Sequence, residues 1–277
     1  MFWQTTRHRI DLARPRVMGI VNVTPDSFFD GGRHLATDAA RAHCERLVGE
    51  GADILDIGGE STRPGAQAPS VQEEIDRVLP VLEHACTLGV AVSVDTSRAE
   101  VMQAALRAGV DIVNDVRALR WPGALDVVAA HASCGVCLMH MLGDEPASMQ
   151  QAPRYDDVVA EVRAFLHERL AMLERAGVAK MRVVLDPGIG FGKTPEHNWM
   201  LMQGLDQLQA LGQPLLLGWS RKSTLGVLTG RAAADRLAAS LAAALAAVQR
   251  GARIVRVHDV AATADALAVW HHAGLGA

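Results

Sequence analysis

Polar side chains that could bind anions, move protons or ligate metals recur in this chain at or just after short apolar runs. They are Asn22, Asp56, Asp95, Asn114, Asp115, His140, Asp186, Lys222, Arg256 and His258. A single aspartate after a strand is more often a helix N-cap than a catalyst. A set of ten indicates a shared site, provided that the apolar runs are parallel strands whose C-terminal ends meet.

Three of these side chains predict a pocket rich in hydrogen-bond acceptors. Asp95, Asn114 and Asp186 would face a heterocycle that carries N–H donors, and the carboxylates would favour positive charge on that ring. The alternative, from composition alone, is that these carboxylates are buried and satisfied by backbone N–H groups or arginine.

Two basic segments predict an anion site beside the pocket. Arg256 and His258 are two positions apart, which on a strand places both side chains on one face as a cationic pair suited to phosphate or pyrophosphate. Residues 220–223 (SRKS) lead into a predicted helix whose first turn offers free N–H groups to an anion. The alternative for that segment is an ordinary N-cap with solvated basic neighbours.

A glycine-rich segment, DPGIGFGKT, begins at Asp186. A nucleotide-binding P-loop requires a glycine five positions before Gly192, where Pro187 stands, so ATP binding is not predicted. The glycines instead allow the backbone to approach a flat ligand, and Phe191 offers that ligand an apolar face. A loop without any ligand is the alternative.

Two further loops have a composition typical of lids. Residues 23–33 and 61–68 follow the first two apolar runs and combine Gly, Pro, Ser, Thr and Asp. The first also carries Phe28 and Phe29. We expect both loops to close over the site and exclude water.

The elements that must position these residues are eight apolar runs separated by segments with helical periodicity. The runs end at Asn22, Gly58, Asp95, Asp115, His140, Asp186, Trp219 and His258. Helical patterns cover residues 38–50, 71–88, 155–176 and 231–250. This alternation predicts the α/β class and a closed (β/α)8 TIM barrel. An open doubly wound sheet is less favoured because it would carry a glycine fingerprint after its first strand, where NVTPDSFFDGG stands.

Length and composition set the remaining bounds. The 277 residues fit a single domain, with residues 1–16 as a short N-terminal extension packing on the barrel and residues 17–277 as the barrel itself. A net charge of −4 provides no basic field for nucleic acid. The N-terminus lacks the unbroken apolar stretch of a signal peptide, and no apolar tract reaches the length of a bilayer span, so a cytoplasmic protein without a membrane partner is predicted. Cys134 and Cys137 would point to opposite faces of a strand, which argues against zinc.

An ordered set of motifs in this chain resembles the dihydropteroate synthase family of folate-pathway enzymes. The motifs are MGIVNVTPDSFFDGG, DILDIGGESTRPGA, VSVDTS, IVNDV, LMHM, LDPGIGFGKTPEHN, GWSRKS and RVHDV. They run from Met18 to Val260 and so cover nearly the whole chain. The resemblance implies a transferase that condenses 6-hydroxymethyl-7,8-dihydropterin pyrophosphate with 4-aminobenzoate, giving 7,8-dihydropteroate and pyrophosphate with help from Mg²⁺. It also implies a homodimer and a target of sulfonamide-type mimics.

The resemblance assigns roles at the matching positions. The catalytic residues would be Asp95, Asp186, Lys222 and Arg256. The pterin pocket would consist of Asp95, Asn114, Asp186 and Lys222, with Arg256 closing over the ring. Asn22 resembles the magnesium ligand. The pyrophosphate-binding positions are Arg63, Arg256 and His258, and those around aminobenzoate are Thr62, Arg63, Pro64, Phe191 and Ser220. Phe29 and a longer loop over residues 142–150 depart from the family pattern, outside the pterin group.

Three other functions fit parts of the pattern. A related pterin-binding methyltransferase acting on a methylated folate would share the acidic pocket, but it is not expected to carry the SRKS and TPDSF segments. A Schiff-base aldolase would use Lys222 as its nucleophile, with Arg221 lowering the amine pKa. A non-catalytic binding module would keep the pocket without turnover.

Overall fold

Eight parallel strands close into a barrel in the computed structural model, which describes residues 1–24, 32–60, 68–144, 149 and 152–275. The barrel strands are β3 (Arg16–Asn22), β4 (Ile54–Gly58), β5 (Ala91–Asp95), β6 (Ile112–Asp115), β7 (Gly135–Met139), β8 (Val183–Asp186), β9 (Leu215–Leu217) and β10 (Ala252–Val257). They follow the order of the chain, and β10 closes the barrel by pairing with β3. The predicted (β/α)8 architecture is therefore confirmed.

The strand alternation determines which side chains fill the barrel. One apolar layer in the interior is built from Met18, Ile54, Ala91, Ile112, Cys137, Val184, Leu216 and Ile254, one from each barrel strand. Residues two positions further along a strand face the same side. The next interior positions on four of the strands are therefore Asp56, Asn114, Asp186 and Arg256. On these four strands the interior side chains therefore change from apolar to polar over two residues.

Helices pack on the outside of the barrel and bury the opposite face of each strand, as Leu55 and Ile57 of β4 show. They are α1 (Gly32–Gly49), α2 (Val71–Ala85), α3 (Ala99–Arg107), α4 (Ala124–Ala130), α5 (Val158–Arg175), α6 (Pro195–Gln203), α7 (Leu205–Gln209), α8 (Ser223–Thr229), α9 (Leu237–Gln249) and α10 (Val260–His272). Across the described ranges, none of the helices combines the length and apolar character needed to cross a bilayer.

One predicted helix begins later than its pattern indicates. Residues 231–250 were expected to be helical throughout, but Ala233–Asp235 forms a short 3-10 turn and α9 begins at Leu237. The side chain of Arg236 explains the difference, because it donates to the carbonyl oxygens of Arg231 and Arg221 at 2.9 Å each. These contacts bind the start of the segment to the preceding loop, so α9 does not extend towards the N-terminus beyond Leu237.

The N-terminal segment forms an antiparallel hairpin, β1 (Phe2–Gln4) and β2 (Arg9–Asp11), whose strands are too short for a periodic signal. Trp3 and Leu12 are fully buried against the apolar interior layer. The Trp3 indole donates to the carbonyl oxygen of Arg182 at 2.8 Å. The hairpin therefore covers the N-terminal end of the barrel, opposite the polar layer.

Removing the indole donor tests how much this cover stabilises the fold. Trp3→Phe keeps an aromatic ring but leaves the buried Arg182 carbonyl unpaired, so we expect the free energy of unfolding to fall by about 1 to 3 kcal/mol. Urea unfolding followed by circular dichroism measures this change. Phe2→Leu on the exposed face of the same strand is the matched control. Equal unfolding midpoints for the two variants would contradict the prediction.

Candidate active site

Arg256 joins two carboxylates from neighbouring strands in the polar layer. Its Nε donates to Asp56 Oδ2 at 2.6 Å and its Nη2 to Asp95 Oδ2 at 2.8 Å. The amide of Asn114 donates to the same Asp56 oxygen at 3.1 Å. These four groups come from the second, third, fourth and eighth strands of the barrel and meet at one point.

Asp56 is a member of this cluster to which the sequence analysis gave no role. It is fully buried, and its Oδ1 has no hydrogen-bond partner among the residues that the structure describes. A buried carboxylate oxygen left unpaired carries a large desolvation penalty, so a ligand N–H donor is its natural partner. The signal available in the sequence was its spacing, because Asp56 follows the interior residue Ile54 by two positions.

The two predicted catalytic carboxylates have raised pKa values. Burial and the nearby charge of Asp56 raise the pKa of Asp95, while Arg256 opposes that shift. Burial raises the pKa of Asp186 to about 6, against a hydrogen bond from Gly188 N at 2.7 Å and the charges of Lys222 and Arg256. Both groups therefore gain a proton more readily than an aspartate in water.

Lys222 supplies the cation on the other side of the pocket. Burial and the charge of Arg256 lower its pKa to about 8, with Asp186 and Asp95 opposing. Its Nζ lies 4.3 Å from the centre of the Phe191 ring, a cation–π contact. The predicted apolar face of Phe191 is thus next to the predicted pterin group. Contacts and charge interactions bring together Asp95, Asn114, Asp186, Lys222 and Arg256.

Ser220 and His258 contact one another at the rim. The Ser220 hydroxyl lies 3.0 Å from His258 Nδ1, and the His258 backbone N–H donates to the same hydroxyl at 3.2 Å. Burial and the charges of Arg256 and Arg221 lower the pKa of His258 to about 4. This lowered pKa favours the neutral imidazole, and the expected cationic pair with Arg256 stays a prediction.

The loop that carries Ser220 and Lys222 is held in place by Arg221, Arg236 and Asp259, for which the sequence predicted no structural role. Arg221 has a positive φ of 58° and pairs with Asp259 through contacts of 2.6 and 3.1 Å. Arg236 donates to the Arg221 carbonyl at 2.9 Å. Asp259 lies in the RVHDV motif, directly after His258, which was its only available signal.

Two strand-end residues with predicted chemistry have their side chains bound by neighbouring groups of the fold. Asp115 accepts hydrogen bonds from the Ser97 hydroxyl and from the backbone N–H groups of Arg117 and Leu119. It therefore fastens the loop after β6, as expected for the residue next to the inward-facing Asn114. His140 contacts Lys193 at 2.9 Å.

Asn22 ends β3 at the mouth of the barrel. No hydrogen bond to its side chain occurs within the described part of the chain, and its amide oxygen is available to a cation or a ligand. In those same ranges no group of three or more His, Cys, Asp or Glu side chains could hold a metal by itself. Mg²⁺ commonly takes one or two protein oxygens and completes its shell with phosphate and water. The single amide oxygen of Asn22 fits that mode.

The remaining predicted aminobenzoate and pyrophosphate positions lie outside the described residues. They are Thr62, Arg63 and Pro64. Phe28, Phe29 and most of the loop noted after His140 are also outside these residues.

Comparisons with known proteins agree with this geometry. A family model described as pterin binding enzyme matches residues 18–258. Dihydropteroate synthase of Neisseria meningitidis serogroup B is 54% identical over 279 residues, which cover 99% of this chain and 98% of that protein. The structure of Xanthomonas albilineans dihydropteroate synthase with 4-aminobenzoic acid has a TM-score of 0.91 at 56% identity, covering 96% of this chain and 95% of that one. The same enzyme in complex with 7,8-dihydropteroate has a TM-score of 0.88 at 52% identity, covering 97% of each chain.

Proposed function

The chain belongs to the pterin-binding enzyme family, and we propose that it acts as a dihydropteroate synthase. In this reaction 6-hydroxymethyl-7,8-dihydropterin pyrophosphate and 4-aminobenzoate give 7,8-dihydropteroate and pyrophosphate. The observation that carries the proposal is the arrangement around Arg256, which joins Asp56 and Asp95 beside Asn114. It supplies acceptors for a donor-bearing ring and a cation for its leaving group in one cavity.

The pterin would bind through the interior polar layer. A dihydropterin presents amino and ring N–H donors along one edge, which suit the oxygens of Asp95 and Asp186 and the unpaired oxygen of Asp56. The ring carbonyl suits a donor from Lys222 or the Asn114 amide. Arg256 would lie across the ring, since it spans the carboxylates that hold the ring's edge.

The proposed chemistry begins with loss of pyrophosphate. The bond between the pterin methylene carbon and the pyrophosphate oxygen breaks, and its electron pair leaves with the oxygen. The methylene cation that remains is delocalised into the ring, where the charges of Asp95 and Asp186 stabilise it. The amine nitrogen of aminobenzoate then forms the new C–N bond and releases a proton to solvent.

Mg²⁺ belongs to this proposal as a partner of the pyrophosphate. Asn22 would hold it through one amide oxygen, with the remaining ligands coming from phosphate and water. When bound, the ion would neutralise charge on the leaving group. Arg256 and, by resemblance, Arg63 would also neutralise negative charge on the pyrophosphate.

A coupled assay for pyrophosphate release tests the function. Pyrophosphate should appear only when dihydropterin pyrophosphate, 4-aminobenzoate and Mg²⁺ are all present, and 7,8-dihydropteroate should form in equal amount. A sulfonamide should compete with 4-aminobenzoate. Methyl transfer from a methylated folate without pyrophosphate release would instead favour the methyltransferase. Borohydride trapping of a carbonyl substrate on Lys222 would favour the aldolase.

The pKa values predict a bell-shaped dependence of kcat/KM on pH. Below about 6 Asp186 is protonated, and Asp95, whose pKa is also raised, loses its charge on acidification as well. Activity should therefore rise as the pH increases through this range. Above about 8 Lys222 loses its proton, so activity should fall again. Lys222→Arg keeps a cation at high pH, so this variant should lack the fall in kcat/KM at alkaline pH. Its turnover should be lower than that of the wild type at every pH. An alkaline fall at the same pH in this variant would show that another group titrates.

A homodimer and a cytoplasmic location also belong to the proposal. Val227 and Leu228 on α8 and Val269 on α10 are large apolar side chains with about 70% of their surface exposed. Contact with a second copy would bury them, which supports dimerisation. Light scattering should give a mass near twice that of one chain. The location inferred from the N-terminal sequence stays a prediction.

A further inference from the structure

Lysine is rare in this chain, yet two of its lysines lie at the candidate site. The sequence contains three lysines among 27 basic residues. Lys180 is exposed, while Lys222 belongs to the pocket and Lys193 is 3% exposed. A chain that otherwise uses arginine for its cations has a compact amine at position 193, where the function described so far assigns no role.

The side-chain nitrogen of Lys193 joins a strand to the glycine-rich loop. It lies 2.9 Å from His140 Nδ1 and 3.4 Å from the His140 carbonyl oxygen, just past the end of β7. It also donates to the carbonyl oxygen of Phe191 at 3.0 Å. Three acceptors thus lie within reach of the Lys193 nitrogen, one for each N–H of an ammonium group. Burial and the charge of Lys222 lower the pKa of this amine to about 7, against the charge of Asp186.

The loop between these contacts has little freedom to move. A Cβ at Gly188 would overlap the His140 carbonyl oxygen, and one at Gly192 would overlap the Leu142 side chain. The Tyr155 hydroxyl donates to the Gly192 carbonyl at 2.9 Å. The loop therefore packs against the end of β7, and the carbonyl oxygens of Phe191 and Gly192 accept hydrogen bonds from Lys193 and Tyr155.

This loop connects two groups that the proposed function places against the substrates, Asp186 and Phe191. At its start, Asp186 accepts the N–H of Gly188 at 2.7 Å. Near its end, the Phe191 ring lies against Lys222. Because Lys193 bonds the main chain of Phe191 and not its ring, it restrains the backbone that carries the ring and leaves the ring face to Lys222.

We propose that Lys193 is a positioning residue, which ties the loop of residues 188–192 to His140 and holds Phe191 in place for aminobenzoate. This inference rests on the proposed function. Arginine cannot replace the amine, because its planar fork is larger and the nitrogen is enclosed by two backbone carbonyls and an imidazole.

The test compares Lys193→Met with Lys180→Met, a lysine exposed at the opposite end of the barrel. We expect Lys193→Met to raise the KM for 4-aminobenzoate about ten- to a hundredfold, because small misplacements of a binding group have effects of this size. The dissociation constant of the dihydropterin substrate, measured by calorimetry, should stay within about threefold of the wild type. Lys180→Met should leave both values unchanged.

A double-mutant cycle with His140→Phe separates positioning from general damage. If Lys193 acts through His140, the double variant should have a KM for aminobenzoate close to that of Lys193→Met alone. Should Lys193→Met fail to fold, Tyr155→Phe removes the neighbouring tether of the loop and should raise the same KM. Equal changes in both substrate affinities, or none in any variant, would overturn the inference. An inactive wild type would instead overturn the proposed function.

Discussion

Asp95→Asn is expected to lower kcat/KM for dihydropterin pyrophosphate by about a hundred- to a thousandfold, the usual effect of removing one electrostatic contact to a reacting group. The asparagine keeps the shape and one acceptor oxygen, so the pterin should still bind, although more weakly. It lacks the negative charge that the methylene cation needs. Because that charge develops only in the transition state, kcat should fall more than the pterin KM rises.

Steady-state kinetics of purified variants measures this effect. Asp126→Asn makes the same chemical change on the exposed face of α4 and should behave as the wild type. Circular dichroism verifies that both variants fold. If Asp95→Asn turns over within about threefold of the wild type, the carboxylate has no part in stabilising the cation.

Arg256→Met is expected to have the second large effect, and it should appear in stability as well as in rate. The guanidinium lies between Asp56 and Asp95. Without it, two carboxylates face one another in a largely buried place, and breaking a buried ion pair from one side costs about 3 to 5 kcal/mol. Turnover should fall by about a thousandfold, since in the proposed reaction the same side chain stabilises charge on the leaving group.

The loss of stability in Arg256→Met should depend on pH with a defined sign. The pKa of Asp95 is already raised in the wild type, and it will rise further once the neighbouring cation is gone. A folded protein whose carboxylate pKa exceeds the unfolded value binds protons more tightly than the unfolded chain. The destabilisation should therefore be large at pH 8 and shrink as the pH falls to 5.

Two variants complete this experiment. Arg256→Met combined with Asp56→Asn removes one of the opposed charges and should recover part of the unfolding midpoint in urea. Arg107→Met, an exposed residue at the end of α3, should have no effect on stability or rate. A destabilisation that is the same at pH 5 and pH 8 would show that lost packing, and not charge, is the cause.

The sequence predicted the barrel because parallel strands covered on both faces give apolar runs of distinctive length. Five of the eight runs end where the strands end, at Asn22, Gly58, Asp95, Asp115 and Asp186. The convergence of Asp95, Asn114, Asp186, Lys222 and Arg256 followed from that topology alone. Their roles in catalysis stay predictions.

Partners that depend on three-dimensional contact could not be predicted in the same way. The bond between Asp56 and Arg256 joins residues 200 positions apart, and no local pattern encodes it. The lowered pKa of His258 could not be predicted either, because burial, which is its main cause, is invisible in sequence. The fastening of loops by Asp259 and Lys193 depends on turns such as the positive φ of Arg221, which spacing does not reveal.

The closure of the barrel by β10 has a consequence for biosynthesis. Arg256 is contributed by the last strand, whereas both carboxylates that it joins come from the first three strands of the barrel. On the ribosome, a growing chain therefore has no guanidinium for these acids and presents β3 with an open edge until translation is nearly finished. A product truncated before residue 252 would be both inert and prone to self-association through that edge.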